Sequence, residues 1–289
     1  MTTAHAAAGP ADRDAGPARD ASSAWAAELA FAAATARSAG EILMDRYERI
    51  ERIDYKSARD VVTEADHLSE AHVISAIRAA FPADGILAEE SGTHDALAAG
   101  DPTAAGRRTW VIDPLDGTVN YANGLPVFCV SIGLTADGVP VAGVVLDPTR
   151  DELFAATADG PATLNGREIR ASSKDKLSDC VVSLSLAGRS AVSRARAVRK
   201  EIRISRSMGS AALALAYVAN GRFDAMIQET SLSAWDIAAS GLIAERGGAI
   251  VAAFNGAAWY DGSVAPRKAG IVAAPPAHHA RLLRLANAR

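Results

Sequence analysis

The chain has 289 residues, 49% of them apolar, and a formal net charge of -4 at neutral pH. This length accommodates one large α/β domain or two subdomains, and the acidic balance gives no general electrostatic reason to bind nucleic acid. The two cysteines, Cys129 and Cys180, form no C-x-x-C pair, which favours a reducing compartment over a disulfide framework or a zinc site.

The N-terminal segment, residues 1–21, consists mainly of Ala, Asp, Arg, Gly and Pro. Such a composition predicts a disordered tail, because it offers almost no apolar surface to bury. The segment lacks the apolar run of a secretory signal, and the alanine-rich stretch after it is too short between charges to span a membrane. We therefore expect a cytoplasmic protein without a membrane association.

Two helices and a strand are predicted in the first part of the chain. Apolar residues at helical spacing predict a helix from about Trp25 to Tyr47, and a short strand follows near Ile53. Thr63 and Asp66 have the spacing of a capping box, so we expect a second helix to begin there and to end at Phe81, before a proline.

Strands with acidic ends come next. The segment "GILAEE" is predicted as a strand that ends in Glu89 and Glu90, and "RRTWVI" as a strand that ends at Asp113. The seventeen residues between them, "ESGTHDALAAGDPTAAG", are expected to form a loop. Further along the chain, Asp137-Gly138 and Asn165-Gly166 are typical of two-residue hairpin turns.

From about Cys180 the pattern changes to strands that alternate with helices. We predict strands at Val181 to Leu184 and Phe223 to Gln228 and near Ile250 and Ile271, and helices at Arg189 to Lys200, Gly209 to Ala219, Trp235 to Arg246 and after Pro276. The whole pattern predicts an α/β fold in which the disordered tail precedes an N-terminal subdomain at 22–150 and a C-terminal subdomain at 151–289.

Carboxylates recur where predicted strands end or helices begin: Asp60 with Asp66, Glu89 with Glu90, Asp113 with Asp116, and Asp236. Hard divalent cations such as Mg²⁺ take oxygen ligands of this kind. In "DPLDG" the proline stiffens a tight turn and the glycine lets the backbone approach a ligand closely. Each pair alone also fits a turn, a helix cap or a solvated strand end, but their shared position at strand ends favours a metal site.

The segments "KSARDVVTEAD", "AEES", "DPLDGTVN" and "AWDIAA", in this order, resemble the inositol monophosphatase family of Mg²⁺-dependent, lithium-sensitive phosphatases. The resemblance extends from about Trp25 to the C-terminus. It implies the layered αβαβα sandwich of inositol monophosphatases and fructose-1,6-bisphosphatases, and it implies a homodimer. It also implies hydrolysis of a small phosphorylated metabolite, for which we expect inositol 1-phosphate.

The resemblance assigns two Mg²⁺ ions to the acidic residues, with room for a third. The implied ligands of the first ion are Glu89, Asp113 and the carbonyl of Leu115. Those of the second are Asp113, Asp116 and Asp236, so that Asp113 bridges the pair. For Glu90, Asp60 and Lys56 the resemblance implies a supporting role at the metal site, either outside the ligand set or near a third ion.

Catalytic and substrate roles follow from the same resemblance. Asp66 and the Thr118 hydroxyl would orient and deprotonate the attacking water. The implied substrate contacts are Asp116, Gly117, Thr118, Ala211, Glu229 and Asp236. The chain departs from the family between Asp224 and Glu229, where it is one residue longer, so that Gln228 could face the substrate in place of Glu229.

Other substrates and another class of function stay open at this point. The same chemistry could act on fructose 1,6-bisphosphate, histidinol phosphate or a 3'-phosphonucleotide. We expect inositol 1-phosphate to be preferred, since no Arg or Lys lies just around Ala211, although Arg206 could reverse this if the fold turns it inward. A regulatory protein could instead contact RNA or a transcription complex through the basic stretch from Arg189 to Arg206, which we interpret as a solvated helix face; we expect no nucleic-acid partner.

Overall fold

The computed structural model describes residues 23–49, 53–57, 60–96, 107–260 and 270–288. The predicted tail at 1–21 lies outside these residues. Lys56 and Asp60 belong to strands whose backbone is described, but their side chains are not. The supporting roles expected of these two residues therefore stay predictions.

The helices match the predicted ones closely, apart from one short addition. The described helices are α1 Ala26–Arg46, α2 Glu64–Ala80, α3 Thr118–Ala122, α4 Ala191–Glu201, α5 Ala211–Ala219, α6 Ala234–Arg246 and α7 Pro276–Ala286. The capping box predicted for the start of α2 is present, with the Thr63 and Asp66 side chains each bonded to the other residue's backbone. The short helix α3 was not predicted.

The strands include the predicted ones and several short additions. They are β1 Ile53–Ser57, β2 Asp60–Thr63, β3 Gly85–Ala88, β4 Gly92–His94, β5 Arg108–Asp116, β6 Cys129–Ala136, β7 Val139–Asp147, β8 Glu152–Thr157, β9 Thr163–Leu164, β10 Arg167–Glu168, β11 Val181–Ser185, β12 Ile204–Arg206, β13 Ala225–Gln228, β14 Ile250–Ala253 and β15 Ile271–Ala274. The predicted hairpin turns lie between β6 and β7 and between β9 and β10. The strands β2, β4, β8 and β12 were not predicted.

The elements form five layers. An eight-stranded sheet has the order β10-β9-β8-β7-β6-β5-β3-β4, and a five-stranded sheet has the order β12-β11-β13-β15-β14. One apolar cluster joins α1 and α2 to the outer face of the large sheet, and another joins α4 and α7 to the outer face of the small sheet. Helices α5 and α6 pack between the two sheets. The order of layers is αβαβα, as the resemblance implied.

The middle layer approaches the large sheet closely because two glycines face it. Gly133 in β6 and Gly143 in β7 are register partners. A Cβ atom at Gly143 would lie 2.6 Å from the Cα of Ala239, and one at Gly133 would lie 3.1 Å from the Cβ of Ala238. The small residues of α6 therefore rest directly on the strands, which fixes the N-terminus of α6 relative to the end of β5.

The predicted boundary between two subdomains at residue 150 stays a prediction, and the strand order suggests a later one. Strands β8, β9 and β10 come after that residue but belong to the large sheet. We therefore propose that the C-terminal unit begins between Glu168 and Val181, after the last strand of the large sheet.

A separate finding concerns membranes: among the helices of the described residues, none is both long enough and apolar enough to cross a bilayer.

Candidate active site

The site begins at a bulge near the end of β5. In the pairing of β5 with β6, Asp113 lies opposite Ser131 and Asp116 lies opposite Cys129, so β5 carries one residue more than its partner over this interval. Residues three apart on a regular strand point to opposite faces, but an inserted residue reverses that parity. We expected this segment to be a tight turn after Asp113; the strand instead continues to Asp116 through the bulge.

Three carboxylates converge at this point. One oxygen each of Asp113, Asp116 and Asp236 lies within 4.8 Å of the others. Asp113 and Asp116 come from the bulged end of β5, and Asp236 comes from the first turn of α6. Asp113 is fully buried, whereas Asp236 is partly open to solvent. The structure therefore brings together three of the residues that the sequence predicts as metal ligands.

Asp116 is held by the N-terminus of α5. Its Oδ2 accepts hydrogen bonds from the Ser210 hydroxyl at 2.7 Å and from the backbone N–H of Ala212 at 2.6 Å. Ser210 is also the N-cap of this helix, and its hydroxyl accepts from the N–H of Leu213. The sequence analysis did not single out Ser210, although a serine directly before an apolar helical run is an N-cap signal.

The three clustered carboxylates need a positive counter-charge to be ionised together. Burial, followed by the charges of Glu89, Asp116 and Asp236, raises the pKa of Asp113 well above its usual range. Burial also raises the pKa of Asp116 and of Asp236. In the part of the chain that the structure describes, none of Asp113, Asp116 and Asp236 makes an ion pair with a Lys, Arg or His.

Two of the site aspartates also cap helices. Asp236 is the third residue of α6, and its Oδ2 accepts the N–H of Ser233 at 2.5 Å. Asp66 occupies the equivalent position in α2, where its Oδ2 accepts from the N–H of Thr63 at 2.7 Å and from the Thr63 hydroxyl at 2.6 Å. In Asp66 the capping role uses one oxygen and leaves Oδ1 free for other contacts.

Thr118 links Asp66 to the bulge. Its hydroxyl lies 3.2 Å from Oδ1 of Asp66 and 3.0 Å from the carbonyl oxygen of Leu115. Burial raises the pKa of Asp66 to about 6, against the lowering effect of the hydrogen bonds from Thr63. The structure thus places next to each other the two residues to which the family resemblance assigns the attacking water.

Gly117 has a backbone conformation that residues with a side chain rarely adopt. Its φ is 102°, in the left-handed region, and a Cβ atom there would lie 2.8 Å from the carbonyl oxygen of Val127. The glycine lets the chain turn from the bulge directly into α3. This places the Thr118 hydroxyl over the Leu115 carbonyl.

The loop of Glu89 and Glu90 is held by α2. A carboxylate oxygen of Glu70, which is itself buried, accepts the N–H of Glu90 at 2.8 Å. The hydroxyl of the preceding residue, Ser69, donates to the carbonyl of Pro114 at 3.1 Å. Helix α2 therefore positions both the glutamate loop and the bulge. The sequence analysis missed Ser69 and Glu70, because neither belongs to a motif and only the fold brings them to the site.

A cavity of about 270 Å³ opens beside Asp116 and Asp236. Its other walls come from β11, from the segment before α5, from the first residue of α5 and from the loop after β13. The lining residues are Asp116, Ser183, Ser185, Ser207, Met208, Gly209, Ser210, Ala211, Gln228, Ser231, Leu232 and Asp236. Ala211 lines this cavity, and its role as a substrate contact stays a prediction.

Glu229, for which the resemblance implied a substrate contact, is not among the residues that line this cavity. Its Oε2 accepts hydrogen bonds from Nη2 of Arg194 and from the N–H of Ala187, both at 2.7 Å. The last residue of β13, Gln228, and the residue after it, Glu229, therefore have different surroundings. Gln228 lines the cavity, which is the alternative that the longer segment after Asp224 had left open.

Comparisons with known proteins agree with this geometry. The model of the inositol monophosphatase family matches residues 25–289. The chain is 38% identical to the Nus factor SuhB of Xylella fastidiosa over 231 residues, covering 77% of this chain and 80% of that protein. It is 36% identical to the inositol monophosphatase 2 of Solanum lycopersicum, covering 75% of this chain and 83% of that protein.

A solved structure shows the same fold. The extragenic suppressor protein suhB of Bartonella henselae superposes with a TM-score of 0.81 at 32% identity, covering 91% of this chain and 99% of that one. The names of the relatives do not support our expectation that the chain has no nucleic-acid partner, since some of those proteins are called Nus factors.

Proposed function

The chain belongs to the inositol monophosphatase family, and from this premise we propose that it is a Mg²⁺-dependent phosphomonoesterase that acts on a small polyol phosphate, with inositol 1-phosphate as the reference substrate. The observation that carries the proposal is the cluster of Asp113, Asp116 and Asp236, whose carboxylates lie within 4.8 Å of one another without a cationic partner among the described residues. Buried carboxylates so close together repel each other and need a counter-charge.

The residues present suit Mg²⁺. All of the candidate ligands offer oxygen, which this hard cation prefers, and no histidine or cysteine among the described residues belongs to the cluster. Asp113, Asp116 and Asp236 would hold one ion, and Glu89, Asp113 and the carbonyl of Leu115 a second. When bound, such ions offset the charge of the carboxylates, polarise the phosphate and make water more acidic.

The remaining steps belong to side chains of the chain itself. We assign to the Thr118 hydroxyl the orientation of the attacking water, and to Oδ1 of Asp66 the acceptance of its proton through that hydroxyl. Three features support these roles: the 3.2 Å contact between Thr118 and Asp66, the use of the other Asp66 oxygen in the helix cap, and a pKa of Asp66 of about 6. A base is most effective when its pKa is near the working pH.

A phosphate-release assay tests the proposal directly. The purified protein is offered inositol 1-phosphate, fructose 1,6-bisphosphate, histidinol phosphate and adenosine 3',5'-bisphosphate, with Mg²⁺, after chelation, and with added lithium. We expect hydrolysis that requires Mg²⁺, is inhibited by lithium and is nearly abolished in Asp113→Asn, whose folding is checked by circular dichroism. Full activity after exhaustive chelation, or a wild-type rate in Asp113→Asn, would overturn the proposed site.

A second candidate role comes from the relatives that are called Nus factors. The observation that favours it in this chain is an exposed basic face on α4, formed by Arg196, Arg199 and Lys200. Binding of a single-stranded RNA oligonucleotide, measured over a range of salt concentrations, tests it. The triple replacement of these residues by Gln should weaken the binding and flatten its dependence on salt if the face contacts phosphates. Equal binding by the variant would count against this role.

A further inference from the structure

Asn120 is the last residue of the segment "DPLDGTVN", and the proposed mechanism gives it no role. Its side chain is buried within the short helix α3. Its Nδ2 donates to the carbonyl of Val127 at 2.7 Å and to the carbonyl of Met208 at 2.8 Å. Two carbonyl oxygens accept both hydrogens of the amide nitrogen, which also fixes the orientation of the amide. Asn120 therefore joins α3 to a segment from the second half of the chain.

The segment that Asn120 reaches, residues 207–210, connects β12 to α5. Among the described residues, the bond to Met208 is the one hydrogen bond that a backbone carbonyl of residues 207–209 receives. The next residue, Gly209, lies directly on the amide, because a Cβ atom there would be 2.9 Å from Nδ2 of Asn120. Its φ is 76°, in the left-handed region that favours glycine. Asn120 thus holds this segment by a hydrogen bond and by close packing.

The same two segments meet a second time at Asp116. Its Oδ2 accepts hydrogen bonds from the Ser210 hydroxyl at 2.7 Å and from the N–H of Ala212 at 2.6 Å. Asp116 precedes Asn120 by four residues, and Met208 precedes Ser210 by two. The two segments are therefore joined at both ends, in a hydrogen-bonded ring that contains a candidate metal ligand and the start of α5.

This ring connects the position of Asp116 to the amide of Asn120. Oδ2 of Asp116 is committed to α5, so the other oxygen is the one left for a cation. Loss of the amide would release the segment on the side that faces α3, and Ser210 could then move away from Asp116. Partners that orient a metal ligand from outside the ligand set commonly change metal affinity by about 10- to 100-fold when they are removed.

We propose that Asn120 is a positioning residue for the cation site, which it controls by holding the segment before α5 and, through Ser210, the carboxylate of Asp116. The inference rests on the proposed function, in which Asp116 is a Mg²⁺ ligand. Asn120 belongs neither to the residues that line the cavity nor to the carboxylate cluster. A change at Asn120 therefore alters the site only through its neighbours.

Asn120→Leu tests this role, since it keeps about the same volume, removes both donors and adds no charge. We expect the Kd of Mg²⁺, measured by calorimetry without substrate, to rise about tenfold. The Mg²⁺ concentration needed for half-maximal activity should rise with it, while kcat at saturating Mg²⁺ stays within a few fold of the wild type. The control is Asn123→Leu: Asn123 also donates to a carbonyl, that of Val119, but it is exposed, and its replacement should leave the Kd unchanged.

Gly209→Ala disturbs the same contact from the other side and keeps the test valid if circular dichroism shows that Asn120→Leu does not fold. The added Cβ would press on the amide of Asn120, so the Kd of Mg²⁺ should rise severalfold. The control is Gly188→Ala. Gly188 has nearly the same φ, 79°, but a Cβ atom there would have nothing within 4 Å. Both substitutions strain the backbone alike, and only Gly209→Ala should weaken Mg²⁺ binding.

A double-mutant cycle shows whether Asn120 acts through the ring. If Asn120→Leu and Ser210→Ala both release Asp116, the Kd of the double variant should rise about tenfold, as in each single variant, and not about a hundredfold. Independent, multiplying effects would overturn the ring. A Kd within twofold of the wild type in both Asn120→Leu and Gly209→Ala would overturn the positioning role.

The failure of the proposed function gives a different result. A wild type that binds Mg²⁺ but releases no phosphate from any compound tested contradicts the phosphatase function, and the comparison of Kd values still decides the role of Asn120. A wild type that binds no Mg²⁺ contradicts the cation site and the positioning role together.

Discussion

Thr118 carries one hydroxyl hydrogen and has two acceptors within reach, Asp66 at 3.2 Å and the Leu115 carbonyl at 3.0 Å. It can donate fully to only one of them at a time. A cation that drew the carbonyl of Leu115 to itself would leave the hydroxyl to Asp66. The hydroxyl would then be oriented to accept a proton from water as it passes its own to Asp66, which is the arrangement that the proposed mechanism requires.

Thr118→Ala should therefore lower kcat about a hundredfold and change KM little, because the hydroxyl acts on the attacking water and the backbone N–H is retained. Steady-state kinetics with inositol 1-phosphate at saturating Mg²⁺ measure both constants. Thr118→Ser keeps the hydroxyl and is the matched control, which should stay within a few fold of the wild type. A loss confined to KM would assign Thr118 to substrate binding instead of catalysis.

The sequence could predict that Asp113, Asp116 and Asp236 meet at the site, but not how β5 brings them together. The three-residue spacing of Asp113 and Asp116 indicated a turn, since a regular strand would separate their side chains. The bulge depends on the partner strand, where Ser131 and Cys129 lie only two residues apart. Such pairing information is not contained in the local pattern. The local pattern does not predict Ser69 and Glu70 at the site either, because they reach it only through the packing of α2 beside it.

At the scale of elements, strand β13 and helix α4 depend on each other. Glu229, directly after β13, is the charged partner of the buried Arg194 in α4, and the pKa of Glu229 is lowered chiefly by that guanidinium. An uncompensated buried guanidinium is costly. The pair therefore holds α4 against the small sheet and keeps Gln228 directed at the cavity.

Glu229→Gln should lower the free energy of unfolding by about 2 kcal/mol, because Arg194 would keep a hydrogen-bond acceptor but lose its counter-charge. Urea denaturation followed by circular dichroism measures this change. Glu201→Gln, which removes the carboxylate of an exposed pair with Arg281, is the control and should cost less than about 1 kcal/mol. A change in substrate preference without a loss of stability would mean that Glu229 faces the substrate after all.

Most of the elements that the sequence missed are short, with the six-residue strand β8 as the exception. Strand β12 spans three residues and β4 spans three, so neither contains enough of an alternating pattern to be recognised. They form by pairing with β11 and β3, which is a tertiary effect. Long helices such as α1 and α6 were predicted to within one or two residues, because their periodic apolar positions extend over several turns.

At the scale of the whole molecule, carboxylates that repel each other lie where the layers meet. The end of β5, the N-terminus of α5 and the N-terminus of α6 converge on one buried point, and each brings a carboxylate or holds one. The repulsion between these carboxylates therefore lowers the stability of the folded state when no cation offsets their charge. Burial raises the pKa values of Asp113, Asp116 and Asp236, and that of Asp66 to about 6.

The sign of the resulting pH dependence follows from proton linkage. Between the unfolded pKa of an aspartate, about 4, and the raised folded values, the folded state binds more protons than the unfolded state, so stability falls as the pH rises. For Asp66 this loss is complete a little above pH 6, and the raised pKa values of Asp113, Asp116 and Asp236 act in the same direction. The proposed Mg²⁺ would bind the deprotonated cluster of the folded state, so its stabilising effect should grow over the same pH range.

We therefore expect the Tm of the metal-free protein to decrease from about pH 5.5 to about pH 7.5, and the increase in Tm on adding Mg²⁺ to be larger at the higher pH. At a Mg²⁺ concentration a hundredfold above its Kd, the stabilisation should be about 3 kcal/mol. Differential scanning calorimetry with and without Mg²⁺ measures both effects. Asp113→Asn removes the most crowded charge, so the metal-free variant should be more stable than the wild type at about pH 7.5 and should gain less from Mg²⁺. An equal gain from Mg²⁺ in the variant and the wild type, or a gain that does not depend on pH, would show that the cation binds elsewhere.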